Sequence, residues 1–565
     1  MKFDDVLLKL GEFGPYQKRL YFLLCIPAIS VGCYMLNLVI ILETPNHRCK
    51  IPGYDNDTYA IQSPYHEALV NQTIPLNPKD RRQPYEKCHY YRESNQTGTM
   101  EWIKCTQWVY DRSIVRETFT TKEDLVCDDA SWTSHIKLIF YIGVLVGDIG
   151  FGLIADFIGR RKTLMAAVLL WNVSGFALSW APDTISFIIL EFIVAAAQHG
   201  AFMVCNVMSL ELVGPNKRVL CGTLIHGFFT LGLLYQSGAA YVLKHWQWID
   251  LAIAVPLVFY IAYYWCIQEK QTRKLVRDDF RLIPESPRWL MSKGRYDEAE
   301  KIIQKAGKVN KVQLPEKMIN PSLVEREQTQ MKLWHLFSTK EMFIRTTILL
   351  FNWIAVALMY FGVTMHAGNI GGNFYFNFFL NGIVEFPAIL FVILTMDRIG
   401  RKRLQCIVMV FGGIATLLTI FSILFGGDDF TWLTTTLSLF GKVGSTAAFS
   451  VIYVMTLELY PTVLRNAALG GGSCIGRVGS MLAPYVAASG AMIDGDFSTA
   501  LPLVIFGFVS TTAGLLVLLV PESQHRKLPE SVQDGIKFYE AEEVESKPLD
   551  CNGEDKSFLM MSKLE

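Results

Sequence analysis

The chain has 565 residues; 51% are hydrophobic, 18% are charged, and 52 Lys and Arg balance 52 Asp and Glu. The charged share is below the ~25% of soluble domains, and zero net charge gives no support for a nucleic-acid partner. This composition excludes a disordered chain, a collagen-like chain and a small disulfide scaffold.

Residues 1–20 form a polar N-terminus containing Asp4, Asp5 and Glu12. Twelve apolar runs follow, at 21–41, 134–154, 163–181, 185–210, 220–243, 249–267, 345–365, 374–395, 404–425, 431–457, 466–488 and 501–520. Each is near the ~20 residues that span about 30 Å of hydrocarbon as a helix. Gly and Pro recur inside them, which membrane helices tolerate. No small-residue cleavage pattern follows Ile41, so the first run reads as a retained helix.

The stretch 43–133 between the first two spans carries Cys49, Cys88, Cys105 and Cys127 and the sequons at Asn56, Asn71 and Asn95. Four cysteines beside three sequons point to an oxidising exterior, N-glycans and two disulfides, with three pairings open. The sequon at Asn172 lies in an apolar run and is discounted.

Short-loop Lys and Arg set orientation. Lys18, Arg19, Arg160, Arg161, Lys162, Lys217, Arg218, Arg398, Arg401, Lys402, Arg403 and Arg465 fall on one side. Asp183, Asp428, Asp429, Asp494 and Asp496 fall on the other, with Lys244 alone opposing them. Both termini are expected in the cytoplasm, together with the basic loop 268–344 and the polar tail 521–565. In that loop the spacing of Tyr296, Ala299, Ile302, Ile303 and Ala306 predicts an amphipathic helix over 296–306, lying on the cytoplasmic face.

The chain repeats itself. Asp156-Phe157-Ile158-Gly159-Arg160-Arg161-Lys162 is matched by Asp397-Arg398-Ile399-Gly400-Arg401-Lys402-Arg403. Glu211 through Arg218 is matched by Glu458 through Arg465, and Pro284-Glu285-Ser286 by Pro521-Glu522-Ser523. The three pairs share a nearly constant offset and fall at equivalent places among the spans. The chain therefore reads as two parallel six-helix halves, 21–267 and 345–520, with a site between them near mid-membrane.

Gly152-x-x-x-Asp156-x-x-Gly159-Arg160-Arg161-Lys162 resembles the loop 2–3 signature of the major facilitator superfamily; the second copy has Ile393 in place of Gly152. Further motifs are Asp4-Asp5-Val6-Leu7, Gly11-Glu12-Phe13-Gly14, Pro284-Glu285-Ser286-Pro287-Arg288-Trp289-Leu290 and Glu458-Leu459-Tyr460-Pro461-Thr462-x-x-Arg465. With the cysteine loop, they resemble the organic ion transporter family, which covers organic cation, zwitterion/carnitine and organic anion carriers. The likeness runs from about residue 3 to residue 523. It implies an all-α membrane protein of twelve helices in two halves, the major facilitator fold. It also implies a polyspecific plasma-membrane carrier of small organic cations or carnitine-like zwitterions, working by alternating access. An organic anion carrier is the alternative, and a transport-dead scaffold or sensor is the reading of another class. One departure is the charged stretch Gln268–Ile283, which separates the sixth span from Pro284 and reads as an insertion.

Ionisable residues inside spans are costly and are functional candidates; Glu385, Lys442 and Arg477 are the candidates for substrate binding. Glu385 would attract a cationic amine, and its position resembles a Glu of organic cation carriers. Arg477 would bind a carboxylate through two N–H groups; cation-selective members of the family generally carry Asp near this position, and anion and carnitine types Arg. Glu385 and Arg477 together suit a zwitterion. The competing reading pairs them with each other, or Lys442 with Glu385. Tyr235, Trp353, Tyr360, Phe361 and Phe379 are candidate cavity aromatics, each offering a quaternary ammonium ~0.5–2 kcal/mol of cation–π attraction. Asp156, Arg160, Arg161, Glu211, Arg218, Asp397, Arg401, Glu458 and Arg465 are expected to form ion pairs that hold the outward-facing state. His199, His226 and His366 read as packed residues or proton relays. No phosphate-binding loop supports ATP-driven pumping. No cofactor, metal set or nucleophile–base pair is read, and sodium or a proton is left open as the coupling ion.

Overall fold

The computed structural model describes residues 3–76, 85–93, 100–214, 217–265, 283–315, 318–319, 337, 339–369, 372–426, 430–460, 462–492 and 497–524. Short helix α1 (Phe3–Lys9) leads into the first membrane helix, α2 (Pro15–Ile41). The rest of the first half is α5 (Ser131–Ile158), α6 (Arg160–Leu178), α7 (Thr184–Glu211), α8 (Arg218–Leu243) and α9 (Trp246–Trp265). The second half is α12 (Lys340–His366), α13 (Phe374–Ile383), α14 (Glu385–Ile399), α15 (Arg401–Gly426), α16 (Thr431–Leu459), α17 (Thr462–Ala488) and α18 (Phe497–Leu516).

Every predicted span falls on one of these helices, and the eighth falls on two. Among the described residues, eight stretches are long and apolar enough to cross a membrane. The other four spans fall on α6, α8, α9 and α17. The apolar character is diluted in α6 by Arg160, Arg161 and Lys162 and in α17 by Gly470, Gly471, Gly472, Gly476 and Arg477, whereas α9 is apolar over the shorter described stretch Trp246–Ile261. Within the first half, α7 packs on α5 and α6, and α2 on α8; within the second, α15 packs on α16 and α18, and α12 on α17. The halves meet where α8 touches α13 and α14, and where α5 touches α17.

The eighth span breaks at Val384. Pro387 has no N–H to give the carbonyl of Ile383, so the ladder is interrupted and α14 restarts at Glu385. The two turns after the second and eighth spans are built alike. Gly159 and Gly400 have φ of 110° and 95°, backbone that side-chain-bearing residues rarely adopt. A Cβ on either would also stand 2.6 Å from a carboxylate oxygen, of Glu285 or Glu522.

The 43–133 stretch folds into a small domain. β1 (His47–Cys49) pairs antiparallel with β4 (Trp108–Tyr110), and β2 (His89–Glu93) with β3 (Met100–Lys104); α3 (Pro64–Thr73) and α4 (Phe119–Lys122) complete it. Disulfides join Cys49 to Cys105 and Cys88 to Cys127, a pairing the sequence leaves open. Its buried polar centre is Asp57, whose carboxylate accepts from Arg48 Nη2 at 2.7 Å, Arg48 Nη1 at 3.0 Å, Ile51 N at 2.8 Å and His66 Nε2 at 2.9 Å. Burial alone would raise the Asp57 pKa, but these donors and the Arg48 charge hold it below the usual carboxylate range. Asn56 and Asn71 are exposed, and Tyr85 donates to the Asn71 side chain at 3.2 Å. Asn95 lies outside the described residues. The membrane face carrying this domain is called the disulfide side below; the face near α1 and Gln524 is the terminal side.

On the terminal side, α10 (Pro287–Ser292) and α11 (Tyr296–Asn310) follow the first half. Helix α11 is amphipathic as its spacing predicts, but its apolar face is covered by protein. Ala299, Ile303 and Ala306 pack with Val6 and Leu7 of α1, with Leu10 just past it, and with Trp289 and Leu290 of α10. Residues 268–282 of the inserted stretch and the tail beyond Gln524 lie outside the described residues.

Candidate functional site

The α13–α14 break presents Glu385, 2% exposed, at the seam between the halves. Its Oε1 lies 2.9 Å from Lys442 Nζ of α16 and accepts from the Tyr360 hydroxyl of α12 at 2.6 Å. Its Oε2 accepts from Thr230 of α8 at 2.6 Å, a contact that crosses to the first half. Lys442 Nζ also donates to Thr364 at 2.9 Å and stands 3.3 Å above the centre of the Tyr360 ring. A buried carboxylate is costly unless paired and hydrogen-bonded. Here both oxygens are engaged, and the ammonium has a carboxylate, a hydroxyl and a ring face.

Arg477 makes a separate cross-half pair. Its Nε and Nη2 donate to Asp148 Oδ2 of α5 at 3.2 and 3.0 Å. His199 Nδ1 of α7 stands 3.5 Å from Asp148 Oδ1, too long for a strong hydrogen bond. The structure thus brings Glu385 together with Lys442 and Tyr360, and takes Arg477 to Asp148. Of the competing pairings, the structure has Lys442 on Glu385, while Arg477 holds Asp148 and not Glu385. Asp148 went unread, although a carboxylate in the run 134–154 was the signal for it. Thr230 and Thr364 gave no such signal.

The aromatics divide. Tyr360 belongs to the Glu385 centre. Phe361 packs on Tyr141 across the seam with ring centres 5.3 Å apart. Trp353 is buried, donates to Thr456 at 3.2 Å, and walls a cavity of about 390 Å³ with Leu349, Leu350, Tyr460 and Ile475. Tyr235 and Phe379 lie on exposed faces. Tyr235 shares an exposed face of α8 with Leu231 and Val242, and its hydroxyl donates to the Ala252 carbonyl of α9. Phe379 lies with Phe376 and Ile383 on the exposed stripe of α13.

On the disulfide side the halves are in contact. Tyr375 donates to the Ile114 carbonyl at 3.1 Å, and His135 and Tyr485 are hydrogen-bonded at 2.8 Å. Between Tyr141, Phe229, Tyr360 and Phe361 only about 20 Å³ remains, room for one water and no organic cargo.

The charge motifs on the terminal side form two matching clusters. Arg160 Nη2 lies 2.9 Å from Asp156 and 3.3 Å from Glu211. Arg401 lies 2.9 Å from both Asp397 and Glu458. The Glu285 carboxylate accepts from the Arg161 backbone N–H at 3.2 Å, and that of Glu522 from the N–H of Arg401 at 3.0 Å and of Lys402 at 3.2 Å. Each carboxylate therefore sits at a helix N-terminus, where the dipole favours negative charge. Trp289 Nε1 donates to the Asp156 carbonyl at 3.0 Å, and Ser523 to Glu458 at 2.7 Å. Each of these pairs lies within one half and is formed while the disulfide side is closed. They staple the helices of their own half. Arg218 opens α8 and has interactions of its own; the Arg465 side chain lies outside the described residues. Glu285 and Glu522 were legible as motif residues but not as caps.

Two related helical halves with ionised pairs buried in their seam define a membrane carrier of the major facilitator fold. The sequence pattern of the family described as Sugar (and other) transporter matches residues 60–534. The organic cation transporter protein of Drosophila melanogaster is 35% identical, over 95% of this chain and 95% of its own. Solute carrier family 22 member 4 of Mus musculus is 32% identical over 94% of each chain, and organic cation/carnitine transporter 2 of Homo sapiens 29% identical over 95% of this chain and 94% of its own. Among solved structures, the xylose transporter XylE of E. coli, in a partially occluded inward-open conformation, superposes with a TM-score of 0.58 at 14% identity, covering 91% of this chain and all of that one. At that identity the likeness is one of fold. The chain belongs to the sugar (and other) transporter family, on its organic cation transporter branch.

Proposed function

We propose that the chain carries small organic cations across the plasma membrane, both termini being cytoplasmic, by rocking the halves 21–267 and 345–520 about the Glu385 centre. One observation supports this most. The Lys442 ammonium, between the Glu385 carboxylate and the Tyr360 ring face, stands where a cargo ammonium would stand. Carboxylate attraction and cation–π attraction, ~0.5–2 kcal/mol for the latter, both serve a permanently charged amine. Cargo enters by displacing Lys442 from Glu385. Because Glu385 also accepts from Thr230 of the other half, cargo binding there alters a bond across the seam, which links occupancy to rocking.

A carnitine-like zwitterion is the second reading, favoured by Arg477. Its carboxylate would have to displace Asp148 from the guanidinium, so zwitterions are expected to bind more weakly than monocations. The test is uptake of labelled tetraethylammonium, carnitine and para-aminohippurate into proteoliposomes holding the full-length chain. The expected order is tetraethylammonium first and para-aminohippurate last. Uptake of para-aminohippurate alone would overturn the reading, and no uptake of any would favour a scaffold or sensor.

A further inference from the structure

A second buried polar centre lies inside the first half, close to its disulfide-side end and apart from the seam. Asp250, near the start of α9, is fully buried. Its Oδ1 accepts from Asn37 of α2 at 3.1 Å and its Oδ2 from Ser179, just past α6, at 2.6 Å. Asn37 in turn accepts from Gln236 of α8 at 2.8 Å. Glu191 of α7, 1% exposed, lies within electrostatic reach of Asp250, and the Tyr34 hydroxyl of α2 within reach of both. Five helices of one half thus converge on two carboxyl groups.

Among the described residues, three oxygens in this centre have no hydrogen-bond partner: Glu191 Oε2, the Tyr34 hydroxyl and Gln236 Oε1, all on residues no more than 1% exposed. Room is made for the hydroxyl, since a Cβ on Gly175 of α6 would stand 2.5 Å from it. Unpartnered buried oxygens are rare and need an explanation. Among the described residues, none of the groups acting on either carboxyl is a Lys, Arg or His. The groups facing them are Tyr34, Asn37, Ser179 and Gln236, with Cys33 beside Tyr34 and the Trp171 ring 5.8 Å from the Tyr34 ring.

Two carboxylates cannot both stay ionised cheaply in a dry bundle without a cation. Either a metal ion or a proton relieves them. Sodium would need several oxygens arranged around open space, whereas the proton fits a packed centre. We propose that Glu191 and Asp250 form a proton-binding site that takes up a proton from water on the disulfide side, and through which pH acts on the carrier. The step adds one proton to a carboxylate oxygen and breaks no other bond. Because the pair ties α2, α6, α7, α8 and α9 together, its charge state sets how tightly that end of the half packs. This names the coupling ion for the carrier proposed above and rests on that reading only for its effect on transport.

The experiment has two arms. In the first, purified full-length protein in lipid vesicles is titrated while the carbonyl stretch of protonated carboxylic acids is followed by infrared difference spectroscopy. This arm needs no cargo. A titrating band is expected in the wild type, and it is lost in Glu191→Gln and Asp250→Asn, side chains that keep shape and polarity. Retention of fold is read from the amide bands of the same spectra, and the conservative Glu191→Asp should restore a shifted band. A band that titrates identically in all variants overturns the proposal. The second arm is tetraethylammonium uptake against external pH, with and without sodium: the wild-type profile is pH-dependent and the Glu191→Gln profile flat. A sodium dependence at fixed pH that the variants lose makes the pair a sodium site and overturns the proton assignment. Absent uptake with the band present overturns the cargo reading alone.

Discussion

Lys442→Met removes the ammonium beside Glu385 while leaving a side chain of similar length. The lysine is fully buried and the carboxylate 2% exposed, so the change leaves an uncompensated buried charge, which costs ~3–5 kcal/mol. If Lys442 stands in the cargo's place, a bound organic cation should give back part of that loss. A ligand at a hundred times its Kd stabilises by ~2.7 kcal/mol. Denaturation of the purified protein, with and without saturating tetraethylammonium, should therefore show a large loss in Lys442→Met that ligand mostly offsets. Its apparent affinity for tetraethylammonium should exceed that of the wild type by about tenfold or more, since the internal competitor is gone (1.4 kcal/mol per tenfold). Glu385→Gln/Lys442→Met, with both charges removed, should regain stability and lose the ligand response. The reasoning is refuted if Lys442→Met leaves stability unchanged, or if tetraethylammonium stabilises the double variant as much as the single one.

Other consequences follow from the same contacts. Asp148→Asn frees Arg477, and since hydrogen bonds to charged groups contribute ~1.5–3 kcal/mol, para-aminohippurate uptake should rise about tenfold or more; no rise would show that Arg477 does not reach the cargo. Asp156 is 70% exposed in its pair with Arg160, so Asp156→Asn should change unfolding free energy by less than ~1 kcal/mol, whereas Glu285→Ala, which uncaps α6, should cost ~1.5–3 kcal/mol. Equal effects would contradict the capping assignment. Asp57 is held below its ordinary value near ~3.9, so its contribution to the disulfide domain is complete above that value. It is lost as pH falls through the depressed folded-state pKa. Protease protection of the domain should decline on strong acidification, and Asp57→Asn should be weaker at neutral pH with a shallower decline; parallel curves would refute the assignment.

The sequence announced the parts whose signals are local. Twelve apolar runs, the repeated Asp156 and Asp397 motifs, and the glycines that turn the chain into α6 and α15 are all readable over a few residues. So is the break at Glu385, once Pro387 is read as a missing donor. Partnerships between helices were readable only as alternatives or not at all. The pairing of Lys442 with Glu385 inside the second half stood among the alternatives, whereas that of Arg477 with Asp148 across the seam did not, and no spacing rule relates residues on different helices. Tyr235 and Phe379 show the same gap in another form: an aromatic in a span can face cargo, lipid or a neighbouring helix, and only helix rotation decides. Asp148, Glu191 and Asp250 are legible as carboxylates in apolar runs, but which groups they meet is set by helix packing and not by local sequence.

The central claim is that the cargo's charge meets Glu385. The most direct measurement is counterflow of labelled tetraethylammonium in proteoliposomes holding wild type, Glu385→Gln or Glu385→Asp, with folding checked by thermal unfolding of each. The account predicts exchange by the wild type, none by Glu385→Gln and partial exchange by Glu385→Asp, which keeps the charge. Undiminished exchange by a folded Glu385→Gln would contradict it.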